Sequence, residues 1–468
     1  MQKEKEYDRF FLGRDKRCIV STDCSKTQLN NNILVVGGSG SGKTVSVILP
    51  FLLHMNSSNA IGVFTKSNLL HDAKRSLEHR GYNVYTMDFA DPVHSEIGYD
   101  PLAYCNTDQD LKMLARCIVR ADPTYLPPDP YWSESSENLL ALVLRYVKNG
   151  HWRKGRTMKQ ALEILDKLHW KETYKYFKSE EDFDDVDSPN AEVYKEFLKL
   201  KDVDPDGWTD WKTFINLPDK TAPCVESCLR TPLGQIFDAD ARRLVGMAQA
   251  FRFELLLRPK TVLLLRMSPV NTSQHRLVGI FYTQAFKALY ELAERSEGYR
   301  LPVPVHVLCD DFATGCHVQG FPELISIFRE KGISATMLIQ SETQLASIYG
   351  ANDAATIINN CDTYIYLGGM DLKTCRNISE RMNIPSCEVQ SMAIGEEYFI
   401  RRGQAPIKTM RYDTFNDPVY RKEMLERAQM PERTQREKNI LSCRRWRELR
   451  RGTAAGFLPV ETKGRPVT

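Results

Sequence analysis

A short run of glycines, followed by a lysine and a threonine, carries the clearest chemical pattern in the chain. Two glycines separated by four residues precede Lys43 and Thr44, which is the spacing of a phosphate-binding loop. In such a loop, backbone N–H groups and the N-terminus of the next helix surround a polyphosphate. The residues that we expect to bind the nucleotide are Gly37, Gly38, Ser39, Gly40, Ser41, Gly42, Lys43 and Thr44.

Lys43 and Thr44 have separate roles in this prediction. The lysine ammonium can reach the β- and γ-phosphates, and the threonine hydroxyl can bind Mg²⁺. A dinucleotide-binding fingerprint requires a glycine where Lys43 stands, so that alternative fails. The motif therefore predicts a nucleotide triphosphate with Mg²⁺, and it leaves open what the nucleotide is used for.

Two adjacent carboxylates end an apolar segment far along the chain. Asp310 and Asp311 follow the strand-like residues 303–309. In a phosphate-loop enzyme, Asp310 would hold Mg²⁺ opposite Thr44, and Asp311 would orient or activate the attacking water. An acidic pair at this place can also be an ordinary cap of the next helix, but the presence of Lys43 favours catalysis.

Two further polar residues are candidates for the same site. Gln340 follows the next predicted strand, and strand carboxyl ends converge on the ligand crevice of an open sheet, so it can contact the γ-phosphate or the water. The alternative is a polar residue that begins a loop. Arg329 lies on the preceding helix, where it is either a solvated charge or the cation that ring ATPases insert from a neighbouring subunit.

The elements around these residues predict a parallel sheet. Strand-like segments alternate with helical segments up to residue 87 and again from 261 to 367. With a phosphate loop after the first core strand, we predict an α/β fold: a RecA-like, mostly parallel sheet with helices on both faces. Residues 10–20 suggest a short hairpin before that strand.

The region between the two α/β halves has helical periodicity and no convincing strand, so we predict an inserted all-helical domain.

After about residue 425 the core pattern stops, and residues 427–452 hold nine Arg or Lys against three Glu. This segment is either a nucleic-acid or partner-binding tail or a solvated helix. The predicted parts are residues 1–120 and 236–425 for the nucleotide-binding domain, 121–235 for the insert, and 426–468 for the basic tail.

Composition narrows the class of protein. A hydrophobic content of 42% and a charged content of 26% are typical of a soluble globular protein. The formal net charge is only +3, so any nucleic-acid surface must be local. Twelve cysteines without a signal peptide indicate reduced thiols in the cytoplasm. No segment approaches the roughly 18 to 20 apolar residues of a membrane span.

An ordered set of motifs resembles the TraG/TraD-type coupling proteins of conjugation and type IV secretion, which are HerA/FtsK-like phosphate-loop ATPases. The resemblance covers residues from about 30 to 420, with the helical insert in the expected place. The matching segments begin at Gly81, Asp100, Asp310, Phe321, Phe328, Ile339, Tyr349, Asn360 and Leu367, and Trp132 matches as well.

This resemblance implies an ATPase that assembles as a hexameric ring, moves DNA, and links a relaxase–DNA substrate to the secretion channel. As a separate hypothesis, we assign the helical insert to recognising relaxase or DNA-processing partners at the entrance of the ring. By motif, it assigns Lys43 and Thr44 to Walker A, Asp310 and Asp311 to Walker B, Gln340 to the motif that follows, and Arg329 to the finger from the neighbouring subunit.

The sequence departs from this family in three places. The usual N-terminal membrane anchor is absent, so we expect a protein that acts free in the cytoplasm or docks on a separate membrane subunit at the inner face of the cell membrane. Asp311 replaces the usual Glu and is one methylene shorter. Residues 64–68 keep only Lys66 of an Asp-Pro-Lys-Gly-Glu segment.

Our leading hypothesis is an ATP- and Mg²⁺-dependent DNA translocase that couples transfer substrates to a type IV secretion channel. The rival is a substrate-recruiting adaptor that binds nucleotide and hydrolyses it weakly or not at all, as the Asp311 and 64–68 departures suggest. A small-molecule kinase lacks a recognisable acceptor site and does not explain the long helical insert.

Overall fold

The computed structural model describes residues 7–121, 127–151, 155–168, 193, 196–218, 220–247, 249–314 and 317–429. Met1–Asp417 form one compact unit, and Pro418–Thr468 form a second. In the second unit the structure describes the helix Pro418–Gln429. The remainder of the predicted basic tail lies outside the described residues, so its role stays a prediction.

A single large sheet organises the first unit. Within the described residues, nine strands form this sheet in the order β11-β10-β9-β3-β8-β7-β4-β6-β5, while β1 and β2 form a separate antiparallel ribbon. The strands are β1 Arg9–Phe11, β2 Ile19–Ser21, β3 Ile33–Val36, β4 Asn59–Phe64, β5 Asn83–Asp88, β6 Thr261–Arg266, β7 Val305–Cys309, β8 Ile333–Ile339, β9 Thr363–Tyr366, β10 Glu396–Arg401 and β11 Ile407–Met410.

Neighbouring strands from β9 to β5 are all parallel, whereas β10 and β11 are antiparallel additions at one edge. Every residue of β3, β4, β7 and β8 is buried, which explains why these strands are continuous apolar runs rather than alternating patterns. The predicted α/β fold with a mostly parallel, RecA-like sheet is confirmed, and so is the N-terminal hairpin at β1 and β2.

Helices connect the parallel strands and fill the region between β5 and β6. The described helices of the first unit are Cys24–Thr27, Leu49–His54, Ser67–His79, Asp108–Val119, Pro130–Lys148, Met158–Lys167, Leu200–Val203, Pro205–Ile215, Thr221–Ile236, Ala239–Val245, Thr272–Arg295, Phe321–Lys331, Glu342–Asn359, Leu372–Met382 and Ser386–Gln390. Of the helices that the structure describes, none is long and apolar enough to cross a membrane.

In the predicted insert, residues 121–235, every regular element that the structure describes is a helix. Its first long helix, Pro130–Lys148, packs against Asp108–Val119, and Thr221–Ile236 packs against Thr272–Arg295. Trp211 is fully buried and stacks on Phe197 inside this region. Because these helices belong to the same compact unit as the sheet, the boundaries of a separate insert domain stay a prediction.

Candidate active site

The phosphate-binding loop lies at the carboxyl edge of the parallel sheet, at its middle. It follows β3, which pairs with β8 on one side and β9 on the other. The Gly37 N–H donates to the Ile339 carbonyl at 3.1 Å, and the Gly38 N–H donates to the Gly368 carbonyl at 2.8 Å. The loop is therefore anchored to the ends of both neighbouring strands before it turns into the helical residues Thr44–Ile48 and Leu49–His54.

Gly42 is required by both conformation and space. Its φ is +89°, a region that side chains rarely adopt. A Cβ at this position would lie 2.2 Å from Nη1 of Arg411. The glycine of the motif thus allows the loop to turn and allows an arginine side chain to lie against its backbone.

Lys43 is almost fully buried, with 7% of its surface exposed. Its Nζ donates to the carbonyls of Gly37 at 2.6 Å and Gly38 at 3.1 Å. Burial lowers the pKa of Lys43, and the carboxylates of Asp311 and Asp310 oppose that shift. The ammonium therefore belongs to the same electrostatic cluster as the acidic pair.

Asp310 brings the two halves of the chain together. The Thr44 hydroxyl donates to its Oδ1 at 2.9 Å, across 266 residues of sequence, and the Thr65 hydroxyl donates to its Oδ2 at 3.1 Å. Asp310 is only 2% exposed. Burial and the neighbouring Asp311 raise the pKa of Asp310 to about 6, against the opposing hydrogen bonds from Thr44 and Thr65.

The contact between Thr44 and Asp310 also fits a magnesium ion. A hydroxyl and a carboxylate oxygen are hard oxygen ligands, and Mg²⁺ usually takes one or two protein ligands and completes its shell with waters and phosphates. In the part of the chain that the structure describes, no cluster of three or more His, Cys, Asp or Glu side chains could hold a metal ion. A shared site of Thr44, Asp310 and phosphate oxygens is therefore the arrangement these residues suit.

Asp311 and Gln340 stand at the same edge of the sheet. Asp311 has a left-handed φ of +50°, so the chain turns sharply after β7, and its charge acts on both Lys43 and Asp310. Gln340 directly follows β8 and is exposed, and its backbone N–H donates to the Gln344 side chain at 3.1 Å. Since β8 pairs with β3 up to Val36 and Ile339, Gln340 lies beside the phosphate loop.

Arg329 does not join this cluster within one chain. It lies near the end of the helix Phe321–Lys331, just before β8 begins, and its Nη2 donates to the Gln28 side chain at 3.2 Å. The phosphate loop follows the opposite end of the strands, and the seven residues of β8 span about 20 Å. Arg329 therefore does not reach the phosphate loop of its own chain.

Sequence reasoning noted that Lys66 is kept from a family segment, but it gave no role in the site to three side chains near the loop. Thr65 and Lys66 follow β4, next to β7; the Thr65 hydroxyl binds Asp310, and the positive charge of Lys66 helps to lower the pKa of Lys43. Arg411 follows β11 and donates from Nη1 to the Ser41 carbonyl. Because Thr65 follows a predicted parallel strand, the sequence could have indicated that it lies near the ligand crevice. Arg411 follows an antiparallel strand that no motif indicated.

Comparisons with known proteins identify the family of the chain. The family model for type IV secretory system conjugative DNA transfer matches residues 1–384. The search of curated proteins finds no match. The similar solved structures share too little sequence to show more than the fold, but the family match covers most of the chain.

These structures include plasmid coupling protein TrwB in complex with ADP and Mg²⁺, at 14% identity and a TM-score of 0.61, covering 89% of this chain and 98% of that one. TrwB with the non-hydrolysable analogue ADPNP has 14% identity and a TM-score of 0.58, covering 83% and 87%. VirB4 of Thermoanaerobacter pseudethanolicus has 15% identity and a TM-score of 0.54, covering 88% and 98%.

The resemblance to TraG/TraD-type coupling proteins is thus confirmed at the level of the family, whose shared role is conjugative DNA transfer in type IV secretion. The strand order, the loop and the Thr44–Asp310 contact are consistent with that assignment. By fold, site and sequence model together, this chain belongs to the type IV secretory system conjugative DNA transfer family.

Proposed function

We propose that this protein is an ATP- and Mg²⁺-dependent DNA translocase that links a relaxase–DNA substrate to a type IV secretion channel. The observation that carries the proposal is the 2.9 Å contact between Thr44 and Asp310, which joins the phosphate loop to the acidic strand end. The complexes of TrwB with ADP and Mg²⁺ and with ADPNP support ATP and Mg²⁺ as the ligands.

In this proposal each residue acts on a defined part of the nucleotide. The N–H groups of the loop and the Lys43 ammonium bind the phosphates, for which Lys43 leaves the carbonyls of Gly37 and Gly38. Thr44 and Asp310 hold Mg²⁺, which when bound neutralises charge on the phosphate oxygens. The Asp311 carboxylate orients the attacking water, and Gln340 contacts the γ-phosphate or that water.

Arg329 supplies the remaining positive charge from a neighbouring subunit of a hexameric ring. Its distance of about 20 Å from the loop edge of its own sheet supports this role over one within the chain. Among the described residues, Arg329 forms no ion pair with a carboxylate, so its charge is available to a phosphate. Fingers of this kind contribute on the order of 10³-fold or more to the rate.

Hydrolysis in the presence of DNA tests the motor directly. We expect DNA to stimulate ATP turnover by the purified protein, and Lys43→Ala to lower kcat by about 100-fold or more because the phosphate contact is lost. Lys112→Ala, which removes an exposed lysine far from the loop in sequence, is the matched control and should retain activity. Equal turnover by the wild type and Lys43→Ala would contradict the proposal.

The second candidate is the adaptor that binds nucleotide with weak or no hydrolysis, and the observation that favours it is the conformation of Asp311. At a φ of +50° an aspartate is tolerated better than the glutamate that is usual in the family. The rate of ATP turnover by the Asp311→Glu variant distinguishes the two candidate functions. A large gain in ATP turnover by Asp311→Glu would support a weakened native site and so the adaptor. If Asp311→Glu and Asp311→Asn both lose turnover, the native aspartate already supports hydrolysis.

We also propose that the helical insert predicted at residues 121–235 recognises the relaxase or another transfer partner. Because its helices pack on Asp108–Val119 and Thr272–Arg295, removing it would expose buried side chains. Substitutions of exposed residues are therefore the sharper experiment. Loss of relaxase binding in a pull-down, with nucleotide affinity unchanged, supports this role, and unchanged binding after exhaustive substitution of the exposed surface refutes it.

A further inference from the structure

Arg411 lies against the phosphate loop at Ser41 and Gly42. Its Nη1 donates to the Ser41 carbonyl. A Cβ built on Gly42 would lie 2.2 Å from Nη1, 2.9 Å from Cζ and 3.6 Å from Nε. The whole guanidinium therefore packs on the backbone of the two residues that precede Lys43, rather than contacting the loop at one atom.

The segment 411–417 holds this arginine in place along the loop helix. The Arg411 N–H donates to the Gly395 carbonyl at 2.9 Å. Three residues later, the Thr414 hydroxyl donates to the Val45 carbonyl. Asp417 then contacts His54 at 2.8 Å. The segment thus follows the phosphate loop and its helix from Ser41 to His54. These hydrogen bonds fix the position of Arg411 beside the loop.

Among the residues that the structure describes, the charge of Arg411 has no carboxylate partner. In the described part of the chain, no Asp or Glu forms an ion pair with it. The acid whose charge interacts with it is Glu397 on β10, which is fully buried and has no hydrogen-bond partner for either oxygen within the described residues. Burial raises the pKa of Glu397 to about 9, so this carboxyl is protonated at neutral pH and leaves the arginine charge uncancelled.

We propose that Arg411 is a nucleotide-binding residue of its own subunit, whose guanidinium contacts the phosphate chain of the bound nucleotide at the Ser41–Gly42 side of the loop. The inference rests on the proposed function, because it needs a nucleotide in the loop. An uncancelled guanidinium suits this ligand, since its planar donors bind phosphate oxygens in pairs. It would add to the positive charge of Lys43, which interacts with Asp311, Asp310 and Lys66.

Two substitutions separate the charge of Arg411 from its hydrogen bond to the loop. Arg411→Lys keeps a positive charge and a donor, whereas Arg411→Gln keeps a donor and removes the charge. Affinities for fluorescent ATP and ADP analogues with Mg²⁺ should fall at least tenfold for the glutamine variant and stay within threefold for the lysine variant. The loss should be larger for ATP than for ADP, because the triphosphate carries more charge.

The controls distinguish failure of this inference from failure of the proposed function. Arg402→Gln removes an exposed arginine that pairs with Asp362, and it should bind nucleotide like the wild type. Melting temperatures confirm that each variant is folded. The proposed role of the Arg411 charge is wrong if Arg411→Gln binds nucleotide as tightly as the wild type. It is also wrong if Arg411→Lys and Arg411→Gln lose the same amount of nucleotide affinity. If the wild type itself binds no better than Lys43→Ala, the proposed function is wrong.

Discussion

Asp310 is both a buried residue of the fold and a candidate magnesium ligand. Its raised pKa predicts how the stability of the protein depends on pH. An aspartate ordinarily titrates near 3.8, but in the fold its pKa is about 6. The folded state therefore binds the proton more tightly than the unfolded state, and stability is lost as the pH rises between these values. Above pH 6 the buried carboxylate destabilises the ligand-free fold by about 1 to 3 kcal/mol.

We therefore expect Asp310→Asn to raise the free energy of unfolding at pH 8 while it abolishes ATP hydrolysis. The Thr44 and Thr65 hydroxyls can still pair with the amide, one of them as an acceptor. Urea unfolding at pH 8 and pH 5 measures the effect, which should shrink at the lower pH. Asp202→Asn, at an exposed position, is the control. A variant destabilised equally at both values would contradict this account.

The same carboxylate predicts a pH dependence of ligand binding. Mg²⁺ competes with the proton for Asp310, so the Mg²⁺-dependent part of the ATP affinity should decline as the pH falls below about 6. Isothermal titration with and without Mg²⁺ checks this. The Asp310→Asn variant should show no such decline, because its amide does not titrate in this range.

At the level of single residues, the sequence predicted the motif members but not their surroundings. Lys43, Thr44 and Asp310 stand in spacings that recur in nucleotide-binding proteins, so their meeting could be expected. Thr65 and Arg411 approach the site through tertiary pairing of β4 with β7 and through the β10–β11 hairpin. The position of Thr65 at the end of β4 was a signal that the sequence offered, whereas the hairpin that brings Arg411 to the loop leaves no local pattern in a single sequence.

At the level of elements, the conformation of the phosphate loop depends on Gly42, because a residue with a side chain does not fit there. Gly42→Ala must strain a φ of +89° and displace the Arg411 guanidinium. We expect a loss of about 1 to 3 kcal/mol in stability and at least tenfold weaker nucleotide binding, measured by thermal unfolding and a fluorescent analogue.

Gly234→Ala is the matched control for this loop variant. Gly234 lies inside the helix Thr221–Ile236, and a Cβ there meets nothing within 4 Å. Alanine should therefore be neutral or add about 0.5 to 1 kcal/mol of stability. Similar effects of the two substitutions would show that the loop at Gly42 is not constrained as described.

The strands were predicted best where they are parallel and buried. Their continuous apolar runs alternate with helices, so β3 to β9 were expected close to their observed bounds. The antiparallel pair β10 and β11 was not predicted, since its residues form short, mixed segments after the last parallel strand. The helix Glu342–Asn359 leaves helical geometry at Gly350, a break that its glycine permits, and then continues to Asn359.

At the level of the whole molecule, the position of Arg329 predicts complementation between inactive subunits. If Lys43 and Arg329 act across an interface, Lys43→Ala and Arg329→Ala subunits mixed in one ring form some interfaces with both residues intact. We expect each variant alone to lack DNA-stimulated hydrolysis and the mixture to regain a fraction of it. A mixture as inactive as its components would contradict the shared site.

The central position of β3 has a consequence for synthesis on the ribosome. Its neighbours β8 and β9 come from residues 333–366, and the Asn32 side chain accepts from the Ala335 N–H, 303 residues further along. A nascent chain that has emerged only through its first half therefore exposes an unpaired, wholly apolar strand. Because the second half of the chain supplies Asp310 and both neighbours of β3, we expect nucleotide binding only after that half has been translated, and we expect chaperones to bind an incomplete chain.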